Sequence, residues 1–343
     1  MDFRTIVIAI LIFGFLIFIH EFGHFITARI FKVGVNEFSL GMGPKILKKK
    51  SKKNGILYSL RLFPIGGFVS MVGEDEDSDD ESALNNKPVW QRIIIVAAGS
   101  IMNILVGVLV VLVIVLCSSR LASNTVAQFQ EVSNLESYGL KVGDKIVQVG
   151  NQKVHIGKDM VEAVMFEGTV PVDVTVVRNG ERVVLSDVEF AKISQDGLSF
   201  GKIDFYVTPE AKTFTSVIKH TFFYSKSTAN MVWKSLVYLV TGKIGVDQMS
   251  GPVGVTSAIG DAAKMGWESL ADLCALLALN LGIFNLLPFP ALDGGRLVFM
   301  LYELIFKKPV KREVEGYIHF AGLALLMLLM VFITFKDVIN IFK

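Results

Sequence analysis

Residues 6–19 carry no charged side chain, and the apolar run continues through His20-Glu21-Phe22-Gly23-His24 to Phe31. About 20 apolar residues span a bilayer as a helix. Inside hydrocarbon every backbone N–H and C=O must be satisfied within the protein, which leaves helix as the conformation of a lone segment. Three further runs meet the same condition, at about 92–117, 270–306 and 317–335. With 52% of its 343 residues hydrophobic, the chain is expected to fold as a polytopic α-helical membrane protein with about four transmembrane helices. The first run lacks a small-residue cleavage site and is read as a retained helix rather than a signal peptide.

Lysine and arginine orient the spans. Lys45, Lys48, Lys49, Lys50, Lys52, Lys53 and Arg61 fall between spans one and two, and Lys307, Lys308, Lys311 and Arg312 between spans three and four. Four spans put both basic loops on one side, which the positive-inside rule makes the cytoplasm. Both termini and the region 121–267 are then expected outside. Net charge is only +2, and no nucleic-acid partner is expected. Cys117 and Cys274 are too few for a disulfide scaffold and read as small core residues.

His20 and His24 stand four residues apart, on one helix face, where two imidazoles can ligate one zinc ion, with Glu21 placed to act as general base on water. Ionisable groups at membrane depth are costly and mark function. A catalytic zinc site needs a third protein ligand. Asn285-Leu286-Leu287-Pro288-Phe289-Pro290-Ala291-Leu292-Asp293-Gly294-Gly295 interrupts the third span, and Asp293 is its one carboxylate. At 1.5 Å per residue, His20 lies roughly 22 Å and Asp293 roughly 33 Å from the outer face, less if the interruption is irregular. Both depths fall in the inner half of the membrane. Asp293 could instead cap the helix restarting at Gly294. Asn285 is a candidate for holding substrate backbone, or for hydrogen bonding between helices.

In the first loop, residues 57–71 alternate around Pro64-Ile65-Gly66-Gly67 and suggest a hairpin. Its strand edge is one that an extended substrate could join, which makes Phe63, Gly66 and Gly67 candidate substrate contacts. The acidic run 74–81 reads as a solvated segment. Outside the membrane, strands are expected at 145–149, 172–178 and 182–185, with Asn179-Gly180 as a hairpin turn. Residues 213–240 carry a helical apolar stripe expected to lie at the membrane interface or against the helix bundle. His155, His220 and His319 are expected in surface or packing roles.

Two motifs together, His20-Glu21-x-x-His24 and Asn285-x-x-Pro288-x-Pro290-x-Leu292-Asp293-Gly294, resemble the site-2 protease family, most closely its bacterial RseP type. Leu140-x-x-Gly143-Asp144-x-Ile146 followed by Val154 is similar to a circularly permuted PDZ domain. Gly41-x-Gly43-Pro44 resembles the family's membrane-associated β-region, and Gly251-Pro252-Val253-Gly254 the segment leading to the third span. Gly99-Ser100-Ile101-Met102-Asn103 is similar to a Gly-Pro-x-x-Asn segment, with Ser100 where proline is common. The resemblance implies an intramembrane-cleaving zinc metalloendopeptidase of the bacterial cell membrane, with Zn2+ on His20, His24 and Asp293 and Glu21 as acid/base. It implies single-span membrane substrates such as anti-sigma factors, or remnant signal peptides, and a PDZ domain that binds a peptide C-terminus or filters by size. The expected layout is a first helix over 1–31, a cytoplasmic loop with the β-hairpin region over 32–91 and a second helix over 92–118. One extracytoplasmic PDZ domain follows over 122–210, then an amphipathic helix and connection over 211–267, and two final helices over 268–306 and 317–336. Two other readings remain: an anchored zinc peptidase cutting soluble peptides in water, and a non-catalytic PDZ receptor.

Overall fold

The computed structural model describes residues 2–74, 78–195, 198–243, 245 and 249–341. Asp75, Glu76 and Asp77 of the acidic run lie outside the described residues. The chain divides into two compact units: Met1–Gly107 with Met249–Lys343, and Val108–Gln248.

Among the described residues, four helices are long and apolar enough to cross a membrane: α1 (Phe3–Ile30), α2 (Val89–Cys117), α6 (Trp267–Asn285) and most of α8 (Arg312–Ile341). The chain is a polytopic helical membrane protein. Asp2 caps α1 by accepting a hydrogen bond from the Thr5 N–H at 2.8 Å. Large apolar side chains such as Leu11, Phe15, Leu105, Leu109, Leu328 and Phe335 point outward, as lipid-facing surfaces require. Lipid offers no hydrophobic drive for helices to associate, so they approach through small residues. Gly23 of α1 lies against the Ala98 carbonyl of α2, Gly282 of α6 against the Ser100 carbonyl, and Gly322 of α8 against Pro290. A Cβ at any of the three would overlap its neighbour.

The expected single third span is two helices. α6 ends at Asn285 and α7 (Asp293–Phe306) begins at Asp293. Pro288 and Pro290 have no N–H to donate to a helix ladder, and Ala291 adopts a left-handed φ of 74°. The region expected as one amphipathic helix and a connection also holds two helices, α4 (Phe214–Val240) and α5 (Pro252–Met265). Pro252 opens α5 where its missing N–H costs nothing. The buried Asp337 of α8 accepts from the Gly251 and Gly254 N–H groups at 2.9 and 2.8 Å.

Two long strands, β1 (Val35–Lys50) and β2 (Leu57–Met71), form an antiparallel pair whose register folds back on itself. Glu37 faces both Ser70 and Leu57, and Leu40 both Gly67 and Leu60, while Lys48, Lys49 and Lys50 face Ser59, Tyr58 and Leu57. The hairpin expected within 57–71 therefore does not pair with itself. Both of its arms pair with β1 instead, because Gly41 (φ 82°) and Gly66 (φ 78°) let the two strands bend. Val33, Val35, Phe38, Val69 and Met71 pack with Ala28 of α1 and Ile95 of α2 into one apolar core.

Glu37 fastens this sheet. It accepts hydrogen bonds from Lys45 (2.7 Å), Ser59 (2.7 Å) and Arg61 (2.9 Å). Burial pushes its carboxyl up, but these three donors outweigh burial and hold it at about 2, below the ordinary 4.5. A depressed carboxyl stabilises the fold fully above its unfolded pKa and less as pH falls through its folded one. Amide exchange protection in β1 and β2 is therefore expected to weaken between about pH 4.5 and 2, and Glu37→Gln to remove that dependence. Unchanged protection down to pH 2 would contradict it.

In the second unit, a sheet runs in the order β10 (Phe205–Glu210), β3 (Leu121–Phe129), β4 (Lys145–Val149), β6 (Val172–Arg178), β7 (Glu181–Val188), with β5 (Gln152–Lys153) on β4. The Asn179-Gly180 turn has φ of 52° and 88°, the signature of the tight turn between paired strands. Helix α3 (Gly157–Glu167) covers the sheet, closing a core of Val126, Leu140, Ile146, Met160, Val164 and Val176. A second antiparallel pair is made by β8 (Ala191–Gln195) and β9 (Leu198–Lys202). Cys117 and Cys274 are free, and Cys117 is exposed rather than packed.

Candidate metal centre

Helix α1 places His20 and His24 one turn apart, with their Nε2 atoms 3.3 Å from each other. Asp293 Oδ2 lies 3.3 Å from His20 Nε2 and 3.5 Å from His24 Nε2. Among the described residues these three are the group of His, Cys, Asp and Glu side chains able to hold one metal ion. The triangle can be tested against zinc chemistry. Ligands about 2.0–2.1 Å from a tetrahedral zinc are about 3.3–3.4 Å apart. The three edges observed are those of one face of such a tetrahedron, leaving the fourth vertex open. Two imidazoles and a carboxylate are also a donor set that zinc accepts.

The surroundings hold the triangle in place. Asp293 is the first residue of α7, where helix N-terminal N–H groups favour a negative charge. Gly294 and Gly295 let α7 start against the carbonyls of Leu286, Leu287 and Phe289; a Cβ on either glycine would overlap them. Ser100 Oγ donates to Asp293 Oδ2 at 3.2 Å. His24 Nδ1 lies 2.9 Å from the Ile95 carbonyl, and His20 Nδ1 lies 3.4 Å from Asn103 Nδ2. Gly99 faces both imidazoles. A Cβ there would overlap His24 Nε2 and sit 2.9 Å from His20 Cε1.

Glu21 projects toward the sheet, its Cγ 3.0 Å from where a Gly67 Cβ would lie. Of the other candidates, Gly66 lies beside Met42, Phe63 is exposed on β2, and Asn285 ends α6 half-buried. Arg296, one turn beyond Asp293, pairs with Glu74 just after β2 and so ties α7 to the end of that strand.

Several contributors escape the sequence reading. His319, expected in a surface or packing role, accepts the Ala291 N–H at 2.9 Å through its Nδ1. It thereby fixes the left-handed turn two residues before Asp293. Gly99, Ser100 and Asn103 were matched to a segment without a role. The available signal was their spacing of three and four residues in an otherwise apolar helix, which puts small and polar groups on one face.

The second unit has a cavity of about 390 Å³ between α3 and α4, lined by His155, Glu162, Phe223, Lys226 and Lys234 among others. Glu162 is buried there and accepts from Ser227 at 2.7 Å. This cavity holds none of the residues of the metal centre.

A bundle of membrane-crossing helices that buries a helix-borne His-Glu-x-x-His beside a distant carboxylate defines a class: zinc-dependent peptidases that work within the bilayer. The family model of peptidase family M50 matches residues 8–329, and the chain belongs to that family. A Fusobacterium nucleatum protein named for a zinc metalloprotease is 34% identical over 349 residues, covering 99% of this chain and 100% of its own. The regulator of sigma-W protease RasP of Bacillus subtilis is 31% identical over 422 residues, covering 99% of each chain. The zinc metalloprotease RasP of Geobacillus kaustophilus is 29% identical with the same coverage. This chain is accordingly an intramembrane-cleaving zinc metalloprotease.

Proposed function

We propose that His20, His24 and Asp293 hold the catalytic zinc, that Glu21 is the general base and acid, and that the substrate is a single-span membrane protein presented as an extended strand. The observation that carries this reading is the 3.3–3.5 Å triangle of ligand atoms. When bound, zinc supplies a Lewis acid that activates water and polarises a scissile carbonyl.

The remaining work falls to the chain. Glu21 takes a proton from the attacking water and returns it to the departing amine nitrogen. Ser100 and Ile95 hold Asp293 and His24 in place. A membrane helix hides its carbonyls in its own hydrogen bonds, so a substrate must unwind to be cut. Strand pairing replaces the bonds it loses. Among the described residues, Gly67 to Ser70 pair only with β1, and Gly67 abuts Glu21. A substrate strand laid along Gly66 and Gly67 would pass beside the general base, with Phe63 and Asn285 as further contacts.

Residues 122–210 are read as a PDZ domain outside the membrane that takes a peptide C-terminus or limits substrate size, with both chain termini on the same side. The substrate class is read as anti-sigma factors, and beside them remnant signal peptides, in a bacterial cell membrane; the relative named for regulation of sigma-W supports the first. The test is metal analysis of purified protein. Wild type is expected to carry one zinc per chain and Asp293→Ala to lose it, with anomalous scattering placing the ion between the two imidazoles and the carboxylate. Equal zinc in both proteins would refute the ligand set.

A further inference from the structure

A histidine that ligates zinc through Nε2 is neutral and carries its proton on Nδ1, and that N–H needs an acceptor to fix the ring. His24 has one in the Ile95 carbonyl at 2.9 Å. The polar atom recorded beside His20 Nδ1 is the Nδ2 of Asn103, at 3.4 Å. Two donors would then face each other. On the same fully buried amide, Asn103 Oδ1 has no hydrogen-bond partner among the described residues. An Asn amide has the same shape in either orientation.

Turning the amide over brings Oδ1 to the place that Nδ2 holds, 3.4 Å from His20 Nδ1. We infer that Asn103 is the positioning residue for His20: in the zinc-loaded protein its amide is turned over, so that Oδ1 accepts the His20 Nδ1–H. The turn gives His20 the anchor that His24 already has, and it gives the orphaned Oδ1 a donor. No atom of Asn103 need touch substrate or metal. The inference rests on the proposed ligand set.

Outer-shell partners of metal-bound histidines typically change metal affinity by about 10–100-fold. The test is zinc affinity by chelator competition, with thermal stability of the metal-free proteins measured in parallel. Asn103→Leu keeps the volume and removes the acceptor; its affinity is expected to fall by about 10–100-fold in a protein that still folds without metal. Asn103→Asp keeps an oxygen at the same place and is expected to bind near the wild-type level. Asn103→Ala repeats the comparison if the leucine variant does not fold. Wild-type affinity in the leucine or alanine variant would overturn the inference. So would an aspartate variant as weak as those two, because it would make the amide's donor the group that matters. A wild type that binds no zinc, or binds it independently of Asp293, would instead remove the ligand set itself.

Discussion

Glu21→Gln is expected to stop cleavage of a co-expressed single-span substrate while leaving zinc bound. Glutamine keeps the volume and the neighbours of the side chain, including its approach to Gly67, but cannot take a proton from water. General base catalysis contributes about 10²–10⁴-fold, so residual turnover is expected to fall by at least that factor. The readout is accumulation of the uncut fragment in membranes from variant cells, beside zinc content of the purified variant. Wild-type turnover would dismiss Glu21 as the base. Loss of both zinc and turnover would show that the variant damages the centre and not the proton transfer alone.

Gly99→Ala is expected to remove zinc outright. The new methyl would fall on His24 Nε2 and within 2.9 Å of His20 Cε1, the ligand atom of one ring and the edge of the other. Relief by moving α2 away would give up the close packing one residue earlier, where the Ala98 carbonyl meets Gly23 with no room for a Cβ. Helix propensity runs the other way, since Ala is favoured over Gly by about 1 kcal/mol in a helix interior. Gly14→Ala is the matched control: nothing lies within 4 Å of its Cβ position, so zinc and activity should both be retained. Full zinc occupancy in Gly99→Ala would mean that the helices can part at this point.

The helices were legible because lipid imposes one rule on every residue of a span. Uninterrupted apolar length is enough to locate α1, α2 and α8. The pair of histidines was legible because helical periodicity turns a spacing of four into adjacency without tertiary information. Asp293 required one more step, from a break in an apolar run to the carboxylate within it. His319 and Asn103 were not legible in the same way. Each acts through a contact between helices, on Ala291 and on His20, and no local pattern encodes which faces of two helices meet. The sheet shows the same limit. Alternation in 57–71 signalled strand, but its pairing depends on β1 bending at Gly41 to offer both sides of residues 37–40. In the second unit the Asn179-Gly180 turn announced β6 and β7. β10 and β3 pair although far apart in the sequence, with no single turn joining them.

On the proposed ligand set the centre is complete only once Asp293 has been made, so a ribosome that has already inserted α1 must add most of the polypeptide first. At roughly 5–20 residues per second, the growing protein passes on the order of tens of seconds in the membrane with its paired histidines unable to attack a neighbour. On that ligand set, newly made copies are harmless to other proteins entering beside them.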